Sequence, residues 1–149
     1  MAAVVLLGLL GCGSEGAAPE IQVVDAWARP RAVEMGAEGV VPGATSAVYL
    51  EIRNGGPKPD RLLGGETPAA TGVEVHESIL EGDVMRMRRV EGVDLPGGAA
   101  VALRPGGLHI MLLDLRQALE EGDTLSLTLN FQRSGPVSLR VPVRAGEQG

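Results

Sequence analysis

The most regular feature of the chain is the alternation of apolar and polar residues in three segments. Residues 48–53, 125–131 and 137–143 each place an apolar side chain at every second position. A period of two buries one face of a β-strand and exposes the other. Residues 132–136, which contain Ser-Gly-Pro, predict a hairpin between the last two strands. Pro142 cannot donate a ladder hydrogen bond, so we expect its strand to be an edge strand or to carry a bulge.

Weaker strand signals lie between glycine- and proline-rich turn signals such as Gly64-Gly65. They cover residues 21–28, 73–78, 84–89, 99–103 and 108–113. About eight short strands at this spacing predict an all-β fold, a Greek-key sandwich or barrel. Residues 115–121 alone have a helix-forming composition and predict about two helical turns. Residues 30–45 predict a long loop without a clear period.

Length and composition indicate one globular domain. The chain has 149 residues, of which 44% are hydrophobic and 21% charged. These values suit a folded protein and are too apolar for a disordered one. A formal net charge of −6 argues against binding to nucleic acid, which needs a basic surface. We find no internal repeat and no second domain.

The N-terminus resembles a bacterial lipoprotein signal. Residues 1–10 form an apolar run that ends just before Gly11 and Cys12. Such a run is too short to span a bilayer but suits the core of a signal peptide. We therefore expect a signal segment at 1–12, lipidation of Cys12 and export to the bacterial periplasm. An alternative is a cytosolic protein with an apolar N-terminal strand, because no Lys or Arg precedes the run.

The remaining boundaries follow from composition. Residues 13–20 predict a flexible tether, 21–144 the folded domain and 145–149 a short tail. Cys12 is the single cysteine, which excludes an internal disulfide and a cysteine-rich zinc site.

Histidine and methionine occur together on the predicted strands. His109 and Met111 project from one face of their strand, and the apolar residues between and beside them project from the other. Met85 and Met87 likewise share a face. His76 shares a face with Glu74. A single histidine on a strand is usually structural, and a single methionine is usually core filler. Both histidines with methionine neighbours, in an exported protein, favour a metal site.

The types of ligand indicate which metal would bind. Thioether sulfur is soft and imidazole is borderline, and together they suit Cu(I). Zinc rarely accepts a thioether. A blue-copper centre needs a cysteine thiolate, and Cys12 lies at the tether. Calcium and magnesium need clustered oxygen ligands, which the sequence lacks.

The chain resembles the PCuAC-type periplasmic copper chaperones, whose motif is His, ten residues, Met, twenty-one residues and His-x-Met. His76, Met87, His109 and Met111 have that spacing. The surrounding sequence is similar from about residue 21 to 144. It includes Asp25-Ala26-Trp27-Ala28-Arg29, Val48-Tyr49-Leu50 with Asn54, Asp60-Arg61-Leu62-Leu63, Val75-His76-Glu77, Val84-Met85-Arg86-Met87-Arg88 and Pro105-Gly106-Gly107-Leu108-His109-Ile110-Met111-Leu112.

The resemblance implies a cupredoxin-like β-sandwich that binds Cu(I) near its surface. It implies copper supply to the CuA centre of cytochrome c oxidase, with the apo CuA subunit as recipient and often a thioredoxin-fold assembly protein as partner. It makes His76, Met87, His109 and Met111 the four ligands of one copper ion.

The chain departs from the family pattern in three places. Many relatives have a methionine just after the first histidine, where this chain has Glu77 and Ser78. The loop at 30–45 is longer than usual and contains Met35, a further candidate ligand. The tail has no His or Met, so we expect one copper per domain. Met85 competes with Met87, which the spacing favours.

Other functions stay open. The main alternative is an exported β-sandwich that binds a protein through its loops and holds no metal. A copper store is a variant of the copper hypothesis. An enzyme is disfavoured because the sequence has no nucleophile motif and no ionisable group that would pair with either histidine in acid–base chemistry.

Overall fold

The computed structural model describes residues 18–146, and these form twelve β-strands and no helix. The strands are, in chain order, β1 (Ile21–Ala28), β2 (Met35–Gly36), β3 (Gly39–Val40), β4 (Ser46–Asn54), β5 (Asp60–Glu66), β6 (Ala70–Glu81), β7 (Val84–Val90), β8 (Val93–Leu95), β9 (Ala100–Leu103), β10 (Leu108–Leu115), β11 (Thr124–Phe131) and β12 (Gly135–Pro142). No helix long and apolar enough to cross a membrane occurs among the described residues.

Two antiparallel sheets enclose the core, so the predicted all-β sandwich is confirmed. The six-stranded sheet has the order β1-β4-β10-β6-β7, and β9 pairs with one half of β4. The four-stranded sheet has the order β12-β11-β5-β8. β2 and β3 form a separate two-stranded ribbon.

The alternating segments form strands because each has an apolar face that the opposite sheet covers. Val48, Ile52 and Ile110 of the larger sheet are fully buried, as are Leu62 and Leu129 of the smaller one. Burial of apolar surface contributes roughly 25 cal/mol per Å². This gain stabilises a register in which every second residue faces inward.

The predicted hairpin at the end of the domain is also confirmed. β11 pairs with β12 from Thr124↔Pro142 to Phe131↔Gly135. β12 is an edge strand, as expected from Pro142. The missing N–H of proline therefore costs no hydrogen bond within the sheet.

β4 brings the strands of the later site together. It pairs with β1 along one side, and its other side is shared by β10 and β9. Residues 110–112 of β10 lie opposite 46–48 of β4, and residues 100–103 of β9 lie opposite 50–53. The start of β10, which carries His109, therefore lies beside the middle of β4.

The structure has four more strands than the eight segments that the sequence predicts. Gly64-Gly65 predicts a turn, but both residues lie within β5. Gly65 pairs with Leu129 of β11, where a Cβ atom would collide with the carbonyl oxygen of Thr128. β8 has only three residues, and the ribbon of β2 and β3 lies within the segment expected to be a loop.

The helix expected at residues 115–121 is wrong. Three backbone N–H groups there donate to other segments of the chain: Leu115 to Ala44, Arg116 to Ala69 and Leu119 to Arg31. In a helix over 115–121, only the N–H groups from Leu119 onward would have an acceptor within the helix. Leu119 instead donates to and accepts from the backbone of Arg31, and Leu115 is the last residue of β10. The helix-forming composition is therefore overridden by tertiary pairing.

Two residues of the family-like segments are structural. The buried side chain of Asn54 accepts hydrogen bonds from the N–H groups of Glu20 and Gly56, and donates to the carbonyls of Lys58 and Leu95. Asp60 is the second, and its carboxylate accepts a hydrogen bond from the hydroxyl of Ser134. The predicted signal segment 1–12 with Cys12, part of the tether and the end of the tail lie outside the described residues.

Candidate metal centre

The pairing of β6 with β10 places the two histidines directly opposite each other. His76 and His109 are Cα partners in this antiparallel pair. Their ring centroids are 6.1 Å apart, and the ring planes are inclined at 40°. Directly opposite residues project from the same face of a sheet. The sequence left their relative position open, and the structure brings them together.

Met111 lies on the same face, two residues beyond His109. Its Cα partners are Glu74 on β6 and Ala47 on β4. The side chain is partly buried, whereas Ile110 and Leu112 on the other face are fully buried in the core. The apolar face thus anchors β10, and the opposite face presents imidazole and thioether groups.

Met87 lies on the edge strand β7 beside this face. It is the Cα partner of Ser78, which is two residues from His76 and on the same side of β6. Its side chain is 60% exposed. The direct partner of His76 on β7 is Arg89, so Met87 lies two residues from the level of the histidines.

Of the rival methionines, Met85 lies farther from the histidine pair along β7, and Met35 lies on another sheet. Met85 is the partner of Leu80, four residues along β7 from Arg89, and is 55% exposed. Met35 lies on the separate ribbon of β2 and β3 and is 71% exposed. The register therefore favours Met87 over Met85.

His109 has one ring nitrogen with a hydrogen-bond partner and one without, among the residues that the structure describes. It is only 2% exposed, and its Nδ1 atom lies 3.1 Å from the carbonyl oxygen of Gly107. A carbonyl only accepts, so Nδ1 carries the proton and Nε2 carries the lone pair. That Nε2 is buried and has no hydrogen-bond partner among the described residues. An unpartnered buried polar atom requires an explanation, and a metal ligand is one.

The environment of His109 favours its neutral form. Burial lowers the pKa of His109 below its ordinary value of 6.5, and the nearby charges of His76 and Arg29 lower it further. The hydrogen bond to Gly107 acts in the opposite direction without reversing the shift. Only neutral imidazole binds a metal ion, so burial favours the form that can act as a ligand.

His76 has a carboxylate partner that the sequence pattern alone does not identify. Its Nε2 atom lies 2.8 Å from Oε2 of Glu74, two residues earlier on the same face. The expectation that neither histidine has an ionisable group beside it is therefore wrong for His76. The shared face of residues 74 and 76 was visible in the sequence, but their contact depends on side-chain rotamers.

An aromatic pair borders the site, and the sequence patterns did not assign it to the site. Tyr49 is 6.2 Å from His109 between ring centroids, and Trp27 is 4.8 Å from Tyr49. Both aromatic rings are buried, and the guanidinium of Arg29 lies over Tyr49 at 5.2 Å. Burial raises the pKa of Tyr49, and Arg29 partly offsets this. Trp27 and Tyr49 lie in residues 25–29 and 48–50, two of the segments that resemble the copper chaperones. This resemblance is the sequence signal that could have placed them near the site.

The chemistry of the cluster is that of a soft-metal site. Two imidazoles and one thioether lie on one face, and a second thioether lies on the adjacent edge strand. Such donors suit Cu(I). Within the described residues, no group of three or more His, Cys, Asp or Glu side chains is arranged to hold a metal ion.

Comparison with known proteins gives a family and a set of structural relatives. Residues 21–143 match the LpqE-like family, described as "Putative lipoprotein LpqE-like". The "Putative lipoprotein Lxx21020" of Leifsonia xyli subsp. xyli is 29% identical over 152 aligned residues, covering 95% of this chain and 86% of that protein.

Solved structures of copper-binding domains have the same fold. The "Copper-bound PCuAC domain from PmoF2" has a TM-score of 0.64 and 25% identity, covering 85% of this chain and 93% of that one. The Cu(I) form of DR1885 from Deinococcus radiodurans has a TM-score of 0.53 and 25% identity, covering 82% of this chain and 78% of that one. The match to the PmoF2 domain spans nearly all of the described residues.

Proposed function

The chain belongs to the LpqE-like lipoprotein family, and we propose that it is an extracytoplasmic Cu(I) chaperone. One copper ion binds per domain. The proposed ligands are His76, Met87, His109 and Met111.

One observation carries this proposal: the two histidines are direct partners on adjacent strands, beside Met111, and His109 has an unpartnered buried Nε2 atom. A histidine that only filled the core would have its ring nitrogens satisfied or exposed to water. The copper-bound and Cu(I) forms of the structural relatives support copper as the metal. Thioether ligands favour Cu(I) over zinc.

The exposure of Met87 supports transfer of the ion to a partner. His109 is buried, but Met87 is 60% exposed on an edge strand. A partner ligand reaching that side can replace the thioether first and take the ion by successive ligand exchange. Neutral thioethers bind less tightly than thiolates, which makes release feasible. They also form no disulfide in an oxidising compartment, although methionine can be oxidised to its sulfoxide.

The recipient and the location are inferred from the family resemblance. We propose that the copper is supplied to the apo CuA subunit of cytochrome c oxidase, with a thioredoxin-fold copper assembly protein as a further partner. We also propose a lipid anchor on Cys12, in keeping with the lipoprotein names of the family and of the Leifsonia relative. The anchored domain would then face the periplasm.

Anaerobic Cu(I) titration against a chromophoric chelator tests copper binding. We expect one equivalent in the wild-type domain and loss of binding in His109→Ala and Met111→Leu. Met35→Leu is the matched control, because Met35 is exposed on a separate ribbon. If the wild-type domain fails to compete with the chelator, the copper hypothesis is wrong and a metal-free interaction module takes its place.

A second experiment separates delivery from storage. The Cu(I)-loaded domain is mixed anaerobically with the apo CuA domain, and the copper content of each is measured after separation. Transfer supports a chaperone. Retention of the ion by this domain, while the apo CuA domain still accepts copper from a small-molecule donor, indicates a store.

A further inference from the structure

Glu74 is the carboxylate that contacts a proposed ligand. Its Oε2 atom lies 2.8 Å from Nε2 of His76, and its Oε1 atom lies 3.7 Å from Nε of Arg89. Its Cα partner across the strand pair is Met111. Glu74 therefore lies between two proposed ligands and an arginine of the edge strand.

We propose that Glu74 is a positioning residue of the metal centre, which holds His76 in one tautomer and supplies the negative charge that the four ligands lack. This inference rests on the proposed Cu(I) function. Metal-binding histidines usually donate their second N–H to a carboxylate or a carbonyl, which orients the ring and raises its basicity. In this chain Glu74 takes that role for His76, and the Gly107 carbonyl takes it for His109.

The two contacts hold the histidines in opposite tautomers. A carboxylate accepts, so the proton of neutral His76 lies on Nε2 and the lone pair lies on Nδ1. In His109 the proton lies on Nδ1 and the lone pair on Nε2, because Nδ1 donates to Gly107. Nδ1 of His76 and Nε2 of His109 would therefore be the nitrogens that hold Cu(I).

The charge of Glu74 matters because imidazole and thioether are both neutral. A Cu(I) ion held only by these groups keeps its full positive charge in a partly buried site. Glu74 has a side chain that is 27% exposed, so its charge is less screened than that of a surface residue. Arg89 competes for it only weakly, since its own side chain is 70% exposed.

Glu77 provides a matched control on the same strand. It is one residue beyond His76, and its carboxylate pairs with Arg88 at 3.0 Å. Adjacent residues of a strand project from opposite faces, so Glu77 does not share the face of the histidines. Glu77→Gln and Glu77→Ala therefore remove the same groups from β6 without changing the contact to His76.

Nitrogen NMR of the apo domain tests the tautomer without copper. We expect the wild type, at a pH where His76 is neutral, to show His76 protonated at Nε2. Glu74→Gln keeps an acceptor oxygen and preserves this tautomer, whereas Glu74→Ala yields a mixture. An unchanged tautomer in Glu74→Ala, or an Nδ1-protonated His76 in the wild type, would overturn the inference.

Competitive Cu(I) titration of the same variants tests the effect on the metal. We expect Glu74→Ala to weaken binding by about 10–100-fold, the usual effect of losing such a partner. Glu74→Gln weakens it by less, because only the charge is lost. Both Glu77 variants bind as the wild type does. Equal affinities in the Glu74 and Glu77 variants would refute a role for Glu74.

The two proposals fail in different ways. If the wild type binds no Cu(I), the proposed function is wrong, and the positioning role falls with it. If the wild type binds Cu(I) and the Glu74 variants bind as tightly, the chaperone proposal survives and only the role of Glu74 is lost. Thermal unfolding of each variant verifies that any loss of binding is not a loss of fold.

Discussion

Asp60 and Ser134 are joined by a hydrogen bond of 2.6 Å from the serine hydroxyl to the carboxylate. The same carboxylate accepts hydrogen bonds from the backbone N–H groups of Arg61, Arg133 and Ser134. Asp60 begins β5, and residues 133 and 134 form the turn between β11 and β12. These hydrogen bonds therefore connect the turn of the terminal hairpin to the start of β5.

Asp60→Asn should destabilise the domain at neutral pH by about 1–3 kcal/mol, because an amide accepts these hydrogen bonds less strongly than a carboxylate. Urea unfolding at pH 7 measures the change. Asp94→Asn is the control, since Asp94 is exposed and its ion pair with Arg61 is worth little. Equal losses in both variants would show that the contact with Ser134 has no special role.

Acid should remove the stabilisation that Asp60 provides. Burial tends to raise the pKa of Asp60, but the hydrogen bonds from Ser134, Arg133 and Arg61 outweigh it, and the pKa lies below its usual 3.8. Its contribution is therefore complete above pH 3.8 and is lost as the pH falls through the lower pKa of the folded state. In urea unfolding from pH 6 to pH 2, the free energy of unfolding of the wild type should include this loss. That of Asp60→Asn should not, because the variant has no carboxylate at position 60.

His109 should make the apo domain sensitive to mild acid. Its pKa is lowered in the folded state, mainly by burial, so the unfolded chain takes up the proton first. The stability from neutral His109 is present above pH 6.5 and decreases as the pH falls through that value towards the lower folded pKa. Proton NMR of the His109 ring should give a midpoint below 6.5; a midpoint at or above 6.5 would contradict this.

Trp27 should report copper binding by its fluorescence. It is the single tryptophan, and its ring contacts Tyr49, which neighbours His109. A cation on His109 changes the field at this aromatic pair, so we expect Trp27 emission to fall in step with Cu(I) addition and to level off at one equivalent. His109→Ala should abolish the response. A response that persists in that variant would mean that copper binds elsewhere.

Met87 and Met85 should differ in their effect on copper. The register of β6 and β7 places Met87 nearer to His76, so Met87→Leu should weaken Cu(I) binding. We expect a loss of at least about tenfold, because removing a ligand should cost no less than removing a residue that only orients one. Met85→Leu should leave it unchanged. Both side chains are more than half exposed, so neither variant should alter the melting temperature much. The opposite order would make Met85 the ligand.

Much of the fold and of the candidate site could be predicted from local patterns. The alternation in residues 48–53, 125–131 and 137–143 predicted β4, β11 and β12, because a period of two is a property of the strand itself. The same period placed His109 and Met111 on one face of β10. These predictions need no knowledge of which strand lies beside which.

Strand pairing was decided only by the tertiary structure. His76 and His109 are 33 positions apart, and their direct opposition depends on the register of β6 with β10. That register is set by the burial of Val75 and Ile110 against the other sheet, which involves the whole core. The position of Met111 opposite Glu74 depends on the same register, and the contact of Trp27 with Tyr49 depends on the register of β1 with β4.

Contacts with distant segments explain two errors in the predicted secondary structure. Residues 115–121 have a helical composition, but their N–H groups donate to Ala44, Ala69 and Arg31. Gly64-Gly65 has the composition of a turn, but both glycines lie in β5 and pair with β11. The carbonyl oxygen of Thr128 leaves no room for a side chain on Gly65, which explains the glycine. Local sequence thus determined where most strands form and which ligands share a face. Distant segments supply the hydrogen bonds and the packing surface, and they determined which strands lie side by side and which ligands meet.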